Sequence, residues 1–174
     1  MNNIAKFTLK LIKIVIIFGI LITSIALSFA LEFKGKMQNK NGISVDIALA
    51  TTREEQTRGL SGIKSKKFKI SQGMLFVNKE MAPRKFWMPD TYFNLDIIFL
   101  DSNLKIVGID RNAESHPGMK EPPEIYRTGT YLAQYVLETK ANSPFSKSLI
   151  LGDELKYLGK PSLLEIVQGI HQEQ

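Results

Sequence analysis

The sequence predicts an α+β domain: a mainly antiparallel β-sheet, curled towards a small barrel, with a few short helices. Three observations predict it. Short apolar or alternating runs recur at residues 43–50, 74–77, 95–100, 105–109 and 131–139, separated by Gly, Pro and Asn clusters, which is the punctuation of strands. Asp101-Ser102-Asn103 stands between two of these runs and supplies hairpin-turn chemistry. Helical spacing is confined to short segments that open on capping residues, so the helices accompany a sheet.

Residues 31–36 are mixed in polarity, and the turn at 38–42 ends in Asn41-Gly42. Ile43, Val45, Ile47 and Leu49 then alternate with Ser44, Asp46, Ala48 and Ala50, the pattern of a half-buried strand with one apolar face. Thr52 can cap a helix to which Glu55 reaches back, and the helix should run to about Arg58 and stop at Gly59 or Gly62. Lys64, Lys66, Lys67 and Lys69 mark a solvated basic loop. Gln72-Gly73 turns into the strand at 74–77, and residues 83–91 form a rigid connector holding the only tryptophan, Trp87, between Pro83 and Pro89.

Residues 95–100 are apolar on both faces, as in an inner strand. Asp96 shares a face with Ile98 and Leu100, so its carboxylate is expected to be partly buried and to need donors. Residues 105–109 return as the antiparallel partner. Residues 110–130 lack periodicity and contain Pro117, Gly118, Pro122, Pro123 and Gly129; a stretch of this kind reads as a lid or binding loop. The strand at 131–139 is expected to carry Tyr131, Ala133, Tyr135 and Leu137 on one face and Leu132, Val136 and Glu138 on the other. Ser143-Pro144 opens a short helix, Gly152-Asp153 turns into a last strand through Tyr157, and Ser162 with Glu165 caps a terminal helix with Leu163, Ile166, Val167 and Ile170 on one side.

The N-terminus has a different character. Lys6, Lys10 and Lys13 precede an apolar run at 14–27 and the small-x-small exit Ser28-Phe29-Ala30. This is the pattern of a Sec-type signal peptide over residues 1–30, with an uncleaved anchor as the alternative. The expected organisation is a leader at 1–30, a globular domain at 31–160 and a helical tail at 161–174, working outside the cytoplasm; contact with a membrane is expected only through an uncleaved leader. With no cysteine, the chain has neither disulfides nor thiolate chemistry. Beyond residue 30 it carries 20 basic and 17 acidic side chains, too small an excess to imply nucleic acid as a partner.

Arg58-Gly59-Leu60, Gly73-Met74-Leu75-Phe76, Phe86-Trp87-Met88, Thr91, Leu95-Asp96-Ile97-Ile98-Phe99-Leu100-Asp101, Tyr135-Val136-Leu137-Glu138 and Gly152-Asp153 occur in one order. That ordered set resembles the DUF192 family, also called UPF0127, over about residues 43–157. The resemblance implies a compact, mostly β, α+β domain found in bacteria and archaea, often exported, without an established biochemical role. Ser61, Pro89-Asp90 and Asn94 depart from the family pattern, where Met, a basic residue with Asn, and Pro are usual, and they could alter the lining of a pocket.

Little chemistry is available to the chain. His116 and His171 are the only histidines and show no metal-ligand spacing, and Asp90, Asp96 and Asp101 do not follow a calcium-loop pattern. Neither a metal nor a cofactor is expected. Gly59-Leu60-Ser61-Gly62 lacks the spacing of a nucleophile elbow. Asp90, Asp96 and Glu138 could converge with Arg58 as counter-charge, and beside Trp87, Met88 and Tyr135 they would make a sugar-type cleft. The bland reading is that Asp90 caps a turn, Asp96 bonds backbone donors, Glu138 pairs with Arg58, and Trp87 and Met88 fill the core. The expected function is a non-catalytic module binding a small molecule, glycan or peptide in the cell envelope. The alternatives are a carboxylate-dependent hydrolase and an envelope assembly protein docking through the terminal helix.

Overall fold

The computed structural model describes residues 31–170. The leader expected at 1–30 and the histidine at 171 lie outside the described residues. The elements are β1 (Phe33–Gln38), β2 (Ser44–Ala50), α1 (Arg53–Arg58), a single 3-10 turn (Ser65–Lys67), β3 (Gln72–Arg84), β4 (Leu95–Leu100), β5 (Ile106–Ala113), β6 (Tyr131–Lys140), α2 (Pro144–Lys147), β7 (Lys156–Gly159) and α3 (Leu163–Ile170). They form one seven-stranded sheet in the order β5-β4-β6-β3-β2-β1-β7. Its pairings are antiparallel except for β2 with β3. The expected barrel-like curl does not close: β5 and β7 remain the two edges. Residues 104–106, at the start of β5, and 152–155, just ahead of β7, are joined by backbone hydrogen bonds and a bridge at Lys105 and Glu154, but β7 itself pairs with β1.

Alternation along the strands divides the core. One face gathers Met37, Ile47, Leu75, Val77, Ile98, Leu100, Tyr135 and Leu137, and it is closed by Phe145 of α2 and by Leu163 and Val167 of α3. The capped terminal helix forms as expected, with Ser162 Oγ accepting from the Glu165 amide at 3.3 Å and the Glu165 carboxylate accepting from the Ser162 amide at 2.7 Å. Its apolar side lies on the chain's own core. On the other face, cross-strand registry aligns Ala50, Phe76, Val136 and Phe99 in one row and Ala48, Met74, Glu138 and Ile97 in the next. Strand β2 is therefore covered on both sides: Ala48 and Ala50 are buried along with Val45 and Ile47. Its pattern suggested one apolar face because alanine reads as neutral.

The second face is roofed by three pieces. The capping box of α1 is complete, since Thr52 Oγ1 accepts from the Glu55 amide and the Glu55 carboxylate accepts from the Thr52 amide. The helix ends at Gly59, whose φ of +50° suits a residue without Cβ. This helix carries the chain from β2 across to its parallel neighbour β3. The other two pieces are the Trp87 connector and the segment at 114–130. The sequence pattern read residues 110–130 as a lid or binding loop, but residues 110–113 instead complete β5. Beyond them, the backbone of the segment pairs with the connector: Thr91 N donates to His116 O at 3.1 Å, Met88 N to Tyr126 O at 3.1 Å and Thr128 N to Phe86 O at 2.9 Å. Buried Ile125, His116 and Thr128 anchor it. Asp110 ties down its end, accepting from the Tyr131 hydroxyl at 2.6 Å and the Gly129 amide at 2.9 Å. That bond is the main reason the Tyr131 hydroxyl is pushed up to about 12. The Tyr131 ring packs at a tilt against Phe99, 4.5 Å between centres, away from the Tyr135 face, because Gly108 opposite Phe99 leaves a slot for it.

Candidate functional site

The seven residues singled out from the sequence separate into two groups. Asp96 faces the opposite side of the sheet from Glu138: it pairs across the ladder with Thr139, while Glu138 pairs with its neighbour Ile97. The Asp96 carboxylate is fully engaged below the sheet. It accepts from the Ser146 hydroxyl at 2.6 Å, the Asn112 amide at 2.8 Å and the Asn142 amide at 3.2 Å, with Arg111 at 3.6 Å. It clamps the start of α2 to β5. Tyr135 lies in the same lower core, where burial pushes its hydroxyl up. Neither residue shares a space with Trp87.

Met88 is wholly buried, whereas Trp87 beside it is 51% exposed. The chain direction at the connector turns one side chain in and the other out. Asp90 adopts a φ of +50° and its carboxylate accepts from the Gly118 amide at 3.2 Å. Its own amide donates to Gly118 O at 2.6 Å. It is the clasp between the connector and the 114–130 segment.

Arg58, Trp87 and Glu138 do meet, around a small hollow of about 50 Å³ that is also lined by Leu60, Ser61, Phe76, Phe86 and Thr91. Arg58 pairs with Glu54 one turn earlier at 2.9 Å. Glu138 sits at the inner end, 5% exposed. Among the described residues no donor hydrogen-bonds its carboxyl. Burial in the row of Ala48, Met74 and Ile97 pushes it up to about 8, so the protonated form predominates at pH 7.

The hollow opens beside a groove of about 350 Å³ running between α1 and the end of β3. Phe76 and Phe86 floor it, in edge-to-face contact at 4.8 Å, and Trp87, Arg53, Arg84 and Lys85 border it. Gln56 holds one wall, donating to Val77 O at 2.8 Å where β3 bulges away from β6. Arg84 is braced by Glu80 O at 3.0 Å and Ala133 O at 3.4 Å. Its pKa is lowered by burial, offset in part by the Glu80 carboxylate. Of the residues singled out from the sequence, Trp87 borders the groove and Arg58, Trp87 and Glu138 line the hollow; Arg53, Phe76, Arg84, Lys85 and Phe86 were not singled out. Arg53 lies on α1 and Arg84 and Lys85 at the end of β3, so no spacing in the chain links them. No group of three metal-ligating side chains occurs among the described residues.

The model of the DUF192 family, described as an uncharacterized conserved group, matches residues 35–157. Two crystal structures share the fold. One is of a candidate transcription regulator from Sinorhizobium meliloti 1021, at 28% identity and a TM-score of 0.57, covering 72% of this chain and 92% of that one. The other is a protein of unknown function from Novosphingobium aromaticivorans DSM 12444, at 22% identity and a TM-score of 0.58, covering 75% and 89%. No curated protein matches the chain.

Proposed function

We propose that this chain, which belongs to the DUF192 family, is a non-catalytic binding module of the cell envelope that holds a small molecule, glycan or peptide in the groove beside Trp87. The observation that carries the reading is Trp87 itself. An indole left half in solvent at the mouth of an aromatic-floored concavity has the arrangement of a stacking platform. The backbone of the connector that carries it is bonded on both sides of the indole to the 114–130 segment, so the platform is preorganised. The groove's volume lies at the lower end of the range for small-molecule sites.

The hydrolase alternative needs two cooperating carboxylates. Asp96 and Glu138 lie on opposite faces, and Asp90 is bonded into the loop clasp. The assembly alternative relied on the apolar side of the terminal helix, which is packed inward. The Sinorhizobium structure is described as a candidate transcription regulator; the modest basic excess of this chain beyond residue 30 gives no support to nucleic acid as a partner. Placement in the envelope rests on Lys6, Lys10 and Lys13 and the apolar run after them.

Thermal-shift screening of the full chain against cell-wall fragments, sugars and short peptides tests the reading. A ligand that binds only the folded chain raises the melting temperature, and Trp87→Ala should abolish that rise while leaving the unliganded melt in place. If no compound from any class stabilises the chain, the binding-module reading fails.

A further inference from the structure

The rim of the groove carries an uneven charge. Of the residues bordering it, Arg53, Arg84 and Lys85 are cationic and none is acidic. Among the described residues, none of these three forms an ion pair, although the Glu80 carboxylate acts on the charge of Arg84; six ion pairs occur elsewhere among the described residues. Unpaired cations on an open, convex surface are simply solvated. Here they surround a concavity floored by Phe76 and Phe86, where water is partly displaced and charge interactions are stronger. Arg84 is the most constrained of the three. Two backbone carbonyls fix its guanidinium, leaving further N–H donors of the fork to point elsewhere. A cation held this way has already lost the side-chain freedom that binding an anion would otherwise cost.

Resting on the binding-module reading, we infer that the groove takes a small ring-bearing carboxylate, its ring against Trp87 and Phe86 and its acidic group on Arg84, Lys85 and Arg53. A carboxylate suits the planar Arg fork, which grips two oxygens at once. A ring suits the half-exposed indole, over which the Arg127 guanidinium lies 5.9 Å from the ring centre, through C–H contacts if it is a sugar and through stacking if it is aromatic. The groove's volume suits one or two rings. The neutral carboxyl of Glu138 at the inner end adds a hydrogen-bonding group without repelling the anion. An acidic sugar and an aromatic acid share this chemistry, and the experiment separates them.

Trp87 is the only tryptophan in the chain, so intrinsic fluorescence reports directly on the groove. The full chain is titrated with glucuronate and benzoate, and in parallel with their uncharged counterparts glucose and benzyl alcohol. At least one acid should produce a saturable change, with an affinity roughly tenfold or more above that of its uncharged counterpart, and added salt should weaken it. Which acid responds identifies the source of the ring. Arg84→Gln combined with Lys85→Gln should lower the acid's affinity by at least roughly tenfold. Arg53→Gln, at an exposed position on α1, should lower it by a smaller factor and serves should the double variant melt early. Equal or tighter binding of the uncharged compounds would overturn the anion assignment and leave the binding module standing. Silence from all four compounds, together with no stabilisation in the wider screen, would overturn both.

Discussion

Replacing Glu138 by Gln gives the sharpest test of how the inner end of the groove is built. Glu138 lies in a row of Ala48, Met74 and Ile97, and burial raises its carboxyl from an ordinary value of 4.5 to about 8. The folded chain therefore holds a proton between those two pH values that the unfolded chain has released. Stability follows the difference in bound protons, unfolded minus folded, which is negative there. The contribution of Glu138 to stability then falls as pH rises from about 4.5 to 8 and levels off above. The full drop is about 5 kcal/mol, against a total of roughly 5–15 kcal/mol for a domain. Gln has the same shape and stays neutral, so Glu138→Gln should match the wild type at pH 4.5 and exceed it by several kcal/mol at pH 9. Urea unfolding of both proteins at half-unit steps from pH 4.5 to 9 measures the difference. All other titrating groups are common to the two proteins and cancel. Stability curves that stay parallel across the range would refute the claim that this carboxyl is buried and neutral.

Three further substitutions test other parts of the framework. Asp96→Ala removes the acceptor for Ser146 Oγ and two backbone amides, so it should cost about 3–5 kcal/mol in urea unfolding, with Trp87 fluorescence in the folded protein unchanged. Thr52→Ala breaks the capping box of α1 and should cost about 1 kcal/mol by the same measurement. A Cβ on Gly108 would run into the Tyr131 ring; Gly108→Ala should destabilise by about 1–3 kcal/mol, and Gly108→Ala combined with Tyr131→Ala should recover part of that loss if the clash is the cause.

What the sequence by itself determined was local. The β-runs, the capping boxes at Thr52 and Ser162, the stop at Gly59 and the inner strand at 95–100 depend on periodicity and on side chains meeting backbone within a few residues. The caps, the helix stop and the inner strand formed as their patterns required, whereas β2 is covered on both faces instead of one and Tyr131 turns to Phe99, away from Tyr135. The alternation rule also separated Ile98 and Leu100 from Phe99, and it placed Asp96 with the former. What only the tertiary structure decided was which side chains from distant elements share a space. Asp96 and Glu138, both acidic and both on inner strands, look alike in the chain. Cross-strand registry sends one to a clamp below the sheet and leaves the other at the end of a hollow above it, with no hydrogen-bond donor among the described residues. The parallel pairing of β2 with β3 lifts α1 over the sheet and brings Arg53 beside Arg84 and Lys85. The 114–130 segment has no period to read because its order comes from bonds to a connector some 30 residues earlier. Short-range forces act between neighbours in the chain, but a groove is made by neighbours in space.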